Sequence, residues 1–150
     1  MAYHYQQGIY QLQHPEKYLG KSNPRYLSGY EFHMFRYLDH HRDILRWGAE
    51  IIVVPYYNPI KARKARYIVD VYVERRARDG KVHKELIEIK PAAQVRKPAK
   101  RGRKKQATFA QEELTYAVNR AKWEAANEFA KQRGWVFRVM TENSIYGHHN

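Results

Sequence analysis

Asp70, Glu88 and Lys90 are the residues of this chain whose types and setting could do chemistry. Asp70 interrupts a β-branched run with Ile68, Val69, Val71 and Val73, and Glu88 and Lys90 interrupt Leu86, Ile87 and Ile89. An ordinary buried strand carries no such charges. Two carboxylates held side by side repel unless a cation sits between them. An oxygen-only ligand set with open positions suits Mg²⁺ or Mn²⁺. An amine beside them can orient or deprotonate a water, or stabilise charge on a phosphate. The competing reading is a solvated hairpin face on which Glu and Lys alternate.

Register decides between the two. The runs flank an Asp79-Gly80 turn signal, a strong hairpin pattern. A two-residue loop would set Asp70 opposite Ile89 and on the wrong face. A three-residue loop of Arg78, Asp79 and Gly80, with Gly80 at positive φ, sets Asp70 opposite Glu88 and leaves Lys90 two residues further along that face. Val69, Val71, Val73, Ile87 and Ile89 then share the other face, to pack under a helix. Only this register makes one face uniformly apolar, so the three-residue loop is predicted.

Charge points the same way. The 150-residue chain has 28 Lys and Arg against 15 Asp and Glu, a net charge of +13. That excess predicts a polyanionic partner, nucleic acid being the commonest. Two clusters concentrate it. Lys61, Arg63, Lys64 and Arg66 form a basic connection just before the Asp70 strand, at the mouth of the proposed site. Arg96, Lys97, Lys100, Arg101, Arg103, Lys104 and Lys105 form a second block with no acid among them, read as a mobile electrostatic clamp for a phosphate backbone. A membrane surface would call for a basic amphipathic helix, and none stands out. There is no apolar run long enough to span a bilayer and no N-terminal signal pattern. Cysteine is absent, which removes disulfides and thiolate zinc sites and fits a reducing compartment.

The elements that must position these residues follow from periodicity and punctuation. Residues 1–27 are polar and tyrosine-rich, an arm of extended or short irregular elements from which Tyr3, Tyr5, Ile9, Tyr10 and Leu12 could dock on the domain. Ser28 and Glu31 make a capping box that opens a helix predicted to reach Trp47, with Gly48 as its stop and a stripe of Tyr30, Met34, Tyr37, Leu38, His41 and Leu45. Glu31 sits at the edge of that stripe, and capping is its plainest role. Glu50–Tyr57 reads as a strand ended or bulged near Pro55. Thr108 and Gln111 suggest a second capping box for a long helix to Arg133, closed by Gly134, with Leu114, Ala117, Val118, Ala121, Ala125 and Phe129 inward and Tyr116, Lys122 and Trp123 off the stripe. Trp135–Met140 reads as a last strand. His148 and His149 fall in a short polar tail. Helix, strand, hairpin, helix and strand give an α/β fold with a central mixed sheet flanked by helices. The division expected is an arm at 1–27, a catalytic domain at 28–142 with a mobile basic loop at 92–107, and a tail at 143–150.

That ordered set resembles the PD-(D/E)xK nuclease superfamily: a helix bearing Glu31, the strand Ile68-Val69-Asp70-Val71, the strand Leu86-Ile87-Glu88-Ile89-Lys90, a long helix, and a strand ending in Val139-Met140-Thr141-Glu142. Val69 stands where the family's name has proline. The nearest subgroup resembles the catalytic domain of Tn7-type transposition endonucleases. In length and opening sequence the chain also resembles the head-completion nucleases of T-even phages. The resemblance implies a restriction-endonuclease-like core and a Mg²⁺-dependent (or Mn²⁺-dependent) DNA nuclease. It implies Asp70, Glu88 and the Ile89 carbonyl as metal ligands, Lys90 positioning the attacking water, Glu31 completing the site, and products with a 5′-phosphate and a 3′-hydroxyl. It further implies double-stranded DNA and head, portal or neck proteins as partners, with action in the host cytoplasm during assembly or in the virion head and neck. Two rival functions stay open at this level: a structural DNA-binding head or neck protein with a vestigial site, and a junction-resolving or transposon-end endonuclease. Sequence preference, endonuclease against exonuclease action, metal number and oligomeric state are not legible in residue order.

Overall fold

The computed structural model describes residues 7–146. Tyr3, Tyr5, His148 and His149 lie outside them. The elements run β1 (Gly8–Ile9), a 3-10 turn (Pro15–Lys17), β2 (Arg25–Tyr26), α1 (Gly29–His40), β3 (Ile44–Ala49), β4 (Val53–Asn58), β5 (Arg63–Ile68), β6 (Val71–Arg76), β7 (Val82–Ile89), α2 (Ala92–Val95), α3 (Gln106–Gln132), β8 (Val136–Met140) and α4 (Glu142–Tyr146). The fold is α/β, with a four-stranded mixed sheet in the order β3-β6-β7-β8, antiparallel except for the parallel β7–β8 pair.

The hairpin at the centre has the predicted loop. Val71 pairs with Ile87 and Arg76 with Val82, a register that carries Asp70 opposite Glu88. The Ala77 N–H donates to the Lys81 carbonyl at 2.9 Å, and Gly80 sits at φ +81°, a conformation that suits glycine. Val71, Val73, Ile87 and Ile89 pack against Met34, Phe35 and Leu38 of α1. Val69 corrects the expectation. It lies on the other side, with Val54, Tyr67, Leu86 and Trp123, because the strand bends at Asp70 and changes sheets.

That bend has a cause in the neighbouring strand. β3 leads into β4, and β5 into β6, so two antiparallel pairs form one long ribbon. Ala49 pairs with Val71 and Val53 with Ile68, so three residues (Glu50, Ile51, Ile52) oppose two (Val69, Asp70). Glu50 takes φ +56° there and donates its N–H to the Asp70 carbonyl at 3.0 Å. An extra residue of this kind bends a strand and re-aims its side chains. The basic stretch read as a connection is therefore β5, a strand of the β4–β5 ribbon. It follows a tight turn in which Asn58 Oδ1 accepts the N–H groups of Ile60 and Lys61.

Two helices depart from their predicted limits. α1 ends at His40 rather than Trp47, and Ile44–Ala49 form β3, with Trp47 fully buried against Phe35. Apolar residues at this spacing fit a helix or a bulged strand equally, and pairing with β6 decides. α3 starts at Gln106 with Lys105 as a cap that makes no side-chain bond, so Thr108 lies inside the helix. Its buried stripe is Asn119, Trp123, Ala126 and Ala130, rotated from the predicted one, while Leu114 is exposed. Its end is as expected: Gly134 at φ +73° follows the last turn, and the Trp135 N–H returns to the Ala130 carbonyl.

The arm docks through one buried carboxylate. Asp39 of α1 is fully buried and accepts the Tyr10 hydroxyl at 2.7 Å and the N–H groups of Gln13 at 2.8 Å and His14 at 3.0 Å. Burial works to raise its pKa, but the Gln13 N–H, the Tyr10 hydroxyl and the His14 N–H outweigh it and hold the group below the ordinary aspartate range. A depressed carboxylate contributes stability above its unfolded pKa of about 4 and loses it as pH falls through the folded value. Asp39→Ala strands three donors. It should cost about 3–5 kcal/mol in urea unfolding at pH 7, and the difference should begin to shrink as pH falls below about 4.

Candidate active site

Asp70 and Glu88 meet on the sheet face that α3 covers. Asp70 Oδ2 accepts the Ile89 N–H at 2.8 Å, so its orientation is set by the backbone of the facing strand. Glu88 is 6% exposed, and its Oε2 accepts the indole N–H of Trp123 at 3.3 Å. The hairpin register sets the two residues opposite each other. Burial, then the hydrogen bond to Glu88 and its charge, push the Asp70 pKa far above the ordinary range, against the opposing Ile89 N–H. Without a cation, the pair is comfortable only when it shares a proton.

Lys90 follows two residues beyond Glu88 and is half-buried; its backbone N–H is tied to the Met140 carbonyl at 3.0 Å. Its ammonium has no hydrogen bond or ion pair to another described residue. Glu31 enters from the α1 layer. Its N–H donates to Ser28 Oγ at 3.2 Å and its Oε1 accepts the Leu27 N–H at 2.9 Å, so it does cap the helix. Burial raises its pKa against the Leu27 N–H, and the charges of Glu50 and Glu88 add to the rise. Glu31 therefore feels the pair electrostatically without joining it. Among the described residues, no group of three or more His, Asp or Glu side chains is gathered closely enough to hold a metal ion by side chains alone.

Three contributors went unread in the sequence. Trp123, expected off the helical stripe, orients Glu88. Glu50, expected to start a strand, has another role. It is the exposed bulge residue whose N–H fixes the bend at Asp70. Tyr67, three residues before Asp70 on β5, is 4% exposed and its hydroxyl is fully buried; burial first, and then the nearby Glu88, push its pKa up. The signal for Trp123 was the heptad-like spacing Asn119, Trp123, Ala126, Ala130; for Tyr67 it was strand alternation within a stretch whose charges suggested a loop.

The basic residues are placed around these acids by chain connection. Lys61, Arg63, Lys64 and Arg66 are exposed, on β5 or in the turn before it, and β5 leads directly to Asp70. The second block lies between Lys90 and α3 in irregular backbone. Arg96, Lys97, Lys100, Arg101, Arg103 and Lys105 are exposed, while Lys104 is paired with Glu112 at 2.8 Å. At the start of that segment, the Ala92 N–H donates to Glu142 at 2.8 Å.

The chain belongs to the TnsA-like endonuclease N-terminal family, whose model matches residues 41–142. It is also similar to the head completion nuclease of Enterobacteria phage T4, 34% identical over 123 residues that cover 80% of this chain and 79% of that protein.

The raised Asp70 pKa carries a stability consequence. A group whose folded pKa is raised favours the fold below its unfolded pKa, and that contribution is lost as pH climbs toward the folded value. In EDTA the protein should therefore lose stability as pH rises above about 4 through this pair. Asp70→Asn should flatten that slope and raise Tm at pH 8 by several degrees, at roughly 2–4 °C per kcal/mol for a chain of this size, as measured by calorimetry.

Proposed function

We propose that this chain is a divalent-metal-dependent DNA endonuclease acting in phage head completion, on double-stranded DNA, before head and tail join. The observation that carries the reading is the Asp70–Glu88 pair, Glu88 buried and Asp70 half-buried, set opposite each other by the hairpin loop and favoured without a cation when it shares a proton.

The residues fit a hard divalent cation. The donors are all oxygen, and Mg²⁺ usually takes only one or two carboxylates and keeps several waters, so two acids suffice without a three-acid cluster. Asp70, Glu88 and the Ile89 carbonyl would hold the ion, with Glu31 completing the set through a water or a second ion; Mn²⁺ would substitute for Mg²⁺. Bound there, the ion would neutralise charge on the scissile phosphate and lower the pKa of a water. The chain's own groups do the rest. The Ile89 N–H and the Trp123 indole hold the two carboxylates in place, and the Lys90 ammonium orients the attacking water or stabilises the phosphate. Hydrolysis would leave a 5′-phosphate and a 3′-hydroxyl. Residues 28–142 would form the catalytic domain, with 1–27 as its docked arm, 92–107 as a mobile basic loop and 143–150 as a tail. Lys61, Arg63, Lys64, Arg66 and the block from Arg96 to Lys105 would grip the DNA backbone. Portal or neck proteins would be its assembly partners, in the host cytoplasm or at the virion neck.

Plasmid nicking tests this. Wild type should cut with Mg²⁺ and not with EDTA. Asp70→Ala and Glu88→Ala should each lower the rate by on the order of a thousandfold while DNA affinity in EDTA is kept. A wild type inert under both conditions removes the reading. Replacing the six exposed cations between Arg96 and Lys105 by Gln should flatten the salt dependence of binding; if all six contact phosphates, their share is about a thousandfold between 50 and 200 mM salt.

A further inference from the structure

We propose that the β4–β5 ribbon is a groove-reading element: its outer face lies in the major groove of duplex DNA, with Pro55, Tyr57 and Ile68 against the base edges and the cations of β5 and the ribbon tip on the flanking phosphates. This deepens the reading of the chain as a DNA enzyme and rests on it for the substrate. Its test is binding in EDTA, so it stands or falls apart from cleavage.

The ribbon has two unlike faces. Directly opposed residues share a face, and the register pairs Val53 with Ile68, Pro55 with Arg66 and Tyr57 with Lys64. The other face carries Val54, Tyr56 and Tyr67, which are buried with Trp123, Ala126 and Ala130 of α3, so the ribbon is fixed on the domain. The outer face is bare. Tyr57 is 58% exposed and Ile68 50%, and Pro55, Lys64 and Arg66 are exposed beside them. From 51 to 69 the chain holds four cations, Lys61, Arg63, Lys64 and Arg66, and no acid. Among the described residues none of the four is ion-paired. A bare apolar strand beside a cationic one suits a polyanion that also offers apolar surface. The DNA major groove offers both, since phosphates line its walls and thymine methyls project into it. Shape selects the same groove. At about 12 Å wide it admits a two-stranded ribbon, whereas the minor groove, at about 6 Å, would have to be forced open. The tip is set in advance, because Asn58 Oδ1 holds the N–H groups of Ile60 and Lys61 at 2.9 and 3.0 Å, and little ordering need accompany binding. The chain runs from Lys64 to Asp70 in six residues. At about 3.3 Å per residue, the groove contact lies within about 20 Å of the acids, or about six base pairs.

The test is binding of the full chain to two duplexes in EDTA, followed by fluorescence anisotropy. One has alternating A·T pairs; the other has uracil for every thymine, which removes only the methyls of the major groove. Wild type should prefer the thymine duplex by about fourfold for each methyl it meets. Tyr57→Ala should weaken binding to that duplex about tenfold and narrow the preference, with Tm unchanged because the ring is mostly exposed. Lys64→Gln with Arg66→Gln should instead lower the slope of log affinity on log salt by about 1.8 and keep the preference. Val82→Ala, 50% exposed on the β6–β7 hairpin, should bind as wild type does. Equal affinity of wild type for the two duplexes, or full binding by Tyr57→Ala, overturns the groove contact and leaves only a grip on phosphates. Tighter binding to the single strand than to the duplex also overturns it, because Tyr57 would then stack on an unpaired base. A wild type that binds as predicted and cuts nothing with Mg²⁺ removes the enzyme reading and supports the ribbon's role alone.

Discussion

Two carboxylates held side by side in a partly dehydrated site repel by several kcal/mol if both are ionised. Glu88 is buried and Asp70 half-buried, so solvent relieves only part of that repulsion, and Lys90 makes no ion pair with either. The acids must share a proton or share a cation. Most of the surrounding architecture keeps them from escaping the choice by swinging apart. Each carboxylate is held by an N–H donor from another part of the chain, Ile89 for Asp70 and Trp123 for Glu88.

The same constraint explains features that are costly when taken singly. Glu50 accepts a left-handed backbone conformation, unusual for a side chain of its size, so that an extra residue bends the ribbon at Asp70. The bend lets one continuous strand serve two layers. Val71 and Val73 pack under α1, while Val69 and Tyr67 pack under α3, with Asp70 at the crossing. α1 is in turn fixed by the arm that wraps Asp39, which steadies the helix carrying Glu31. Further along β7, Glu85 is buried between Arg75 at 2.8 Å and Arg138 at 2.7 Å, an ion triad tying β6, β7 and β8 together.

Much of this was legible in residue order, and the reason is local. Asp79-Gly80 and the alternation on either side specify the loop and the register, and register places Asp70 opposite Glu88. Ser28 with Glu31, and Gly134, mark helix ends by hydrogen-bond and φ requirements that do not depend on distant contacts. What was misread depended on tertiary partners. Ile44 to Trp47 extend α1 on paper, and become β3 because β6 offers them a ladder. Lys61 to Arg66 look like a loop because their charges hide the inward alternation of Ala65 and Tyr67. The phase of α3 was displaced because Trp123 and Asn119 carry polar atoms that place them outside an apolar stripe, although Trp123 turns inward to satisfy Glu88.

The central claim is that Asp70 and Glu88 are kept together for a divalent ion. A crystal grown with MnCl₂ and measured for anomalous scattering tests it most directly. A peak shared by the Asp70 and Glu88 carboxylates, beside the Ile89 carbonyl, is the predicted result. A well-ordered site with no peak there, and the two acids still joined by a proton at saturating Mn²⁺, would contradict the account.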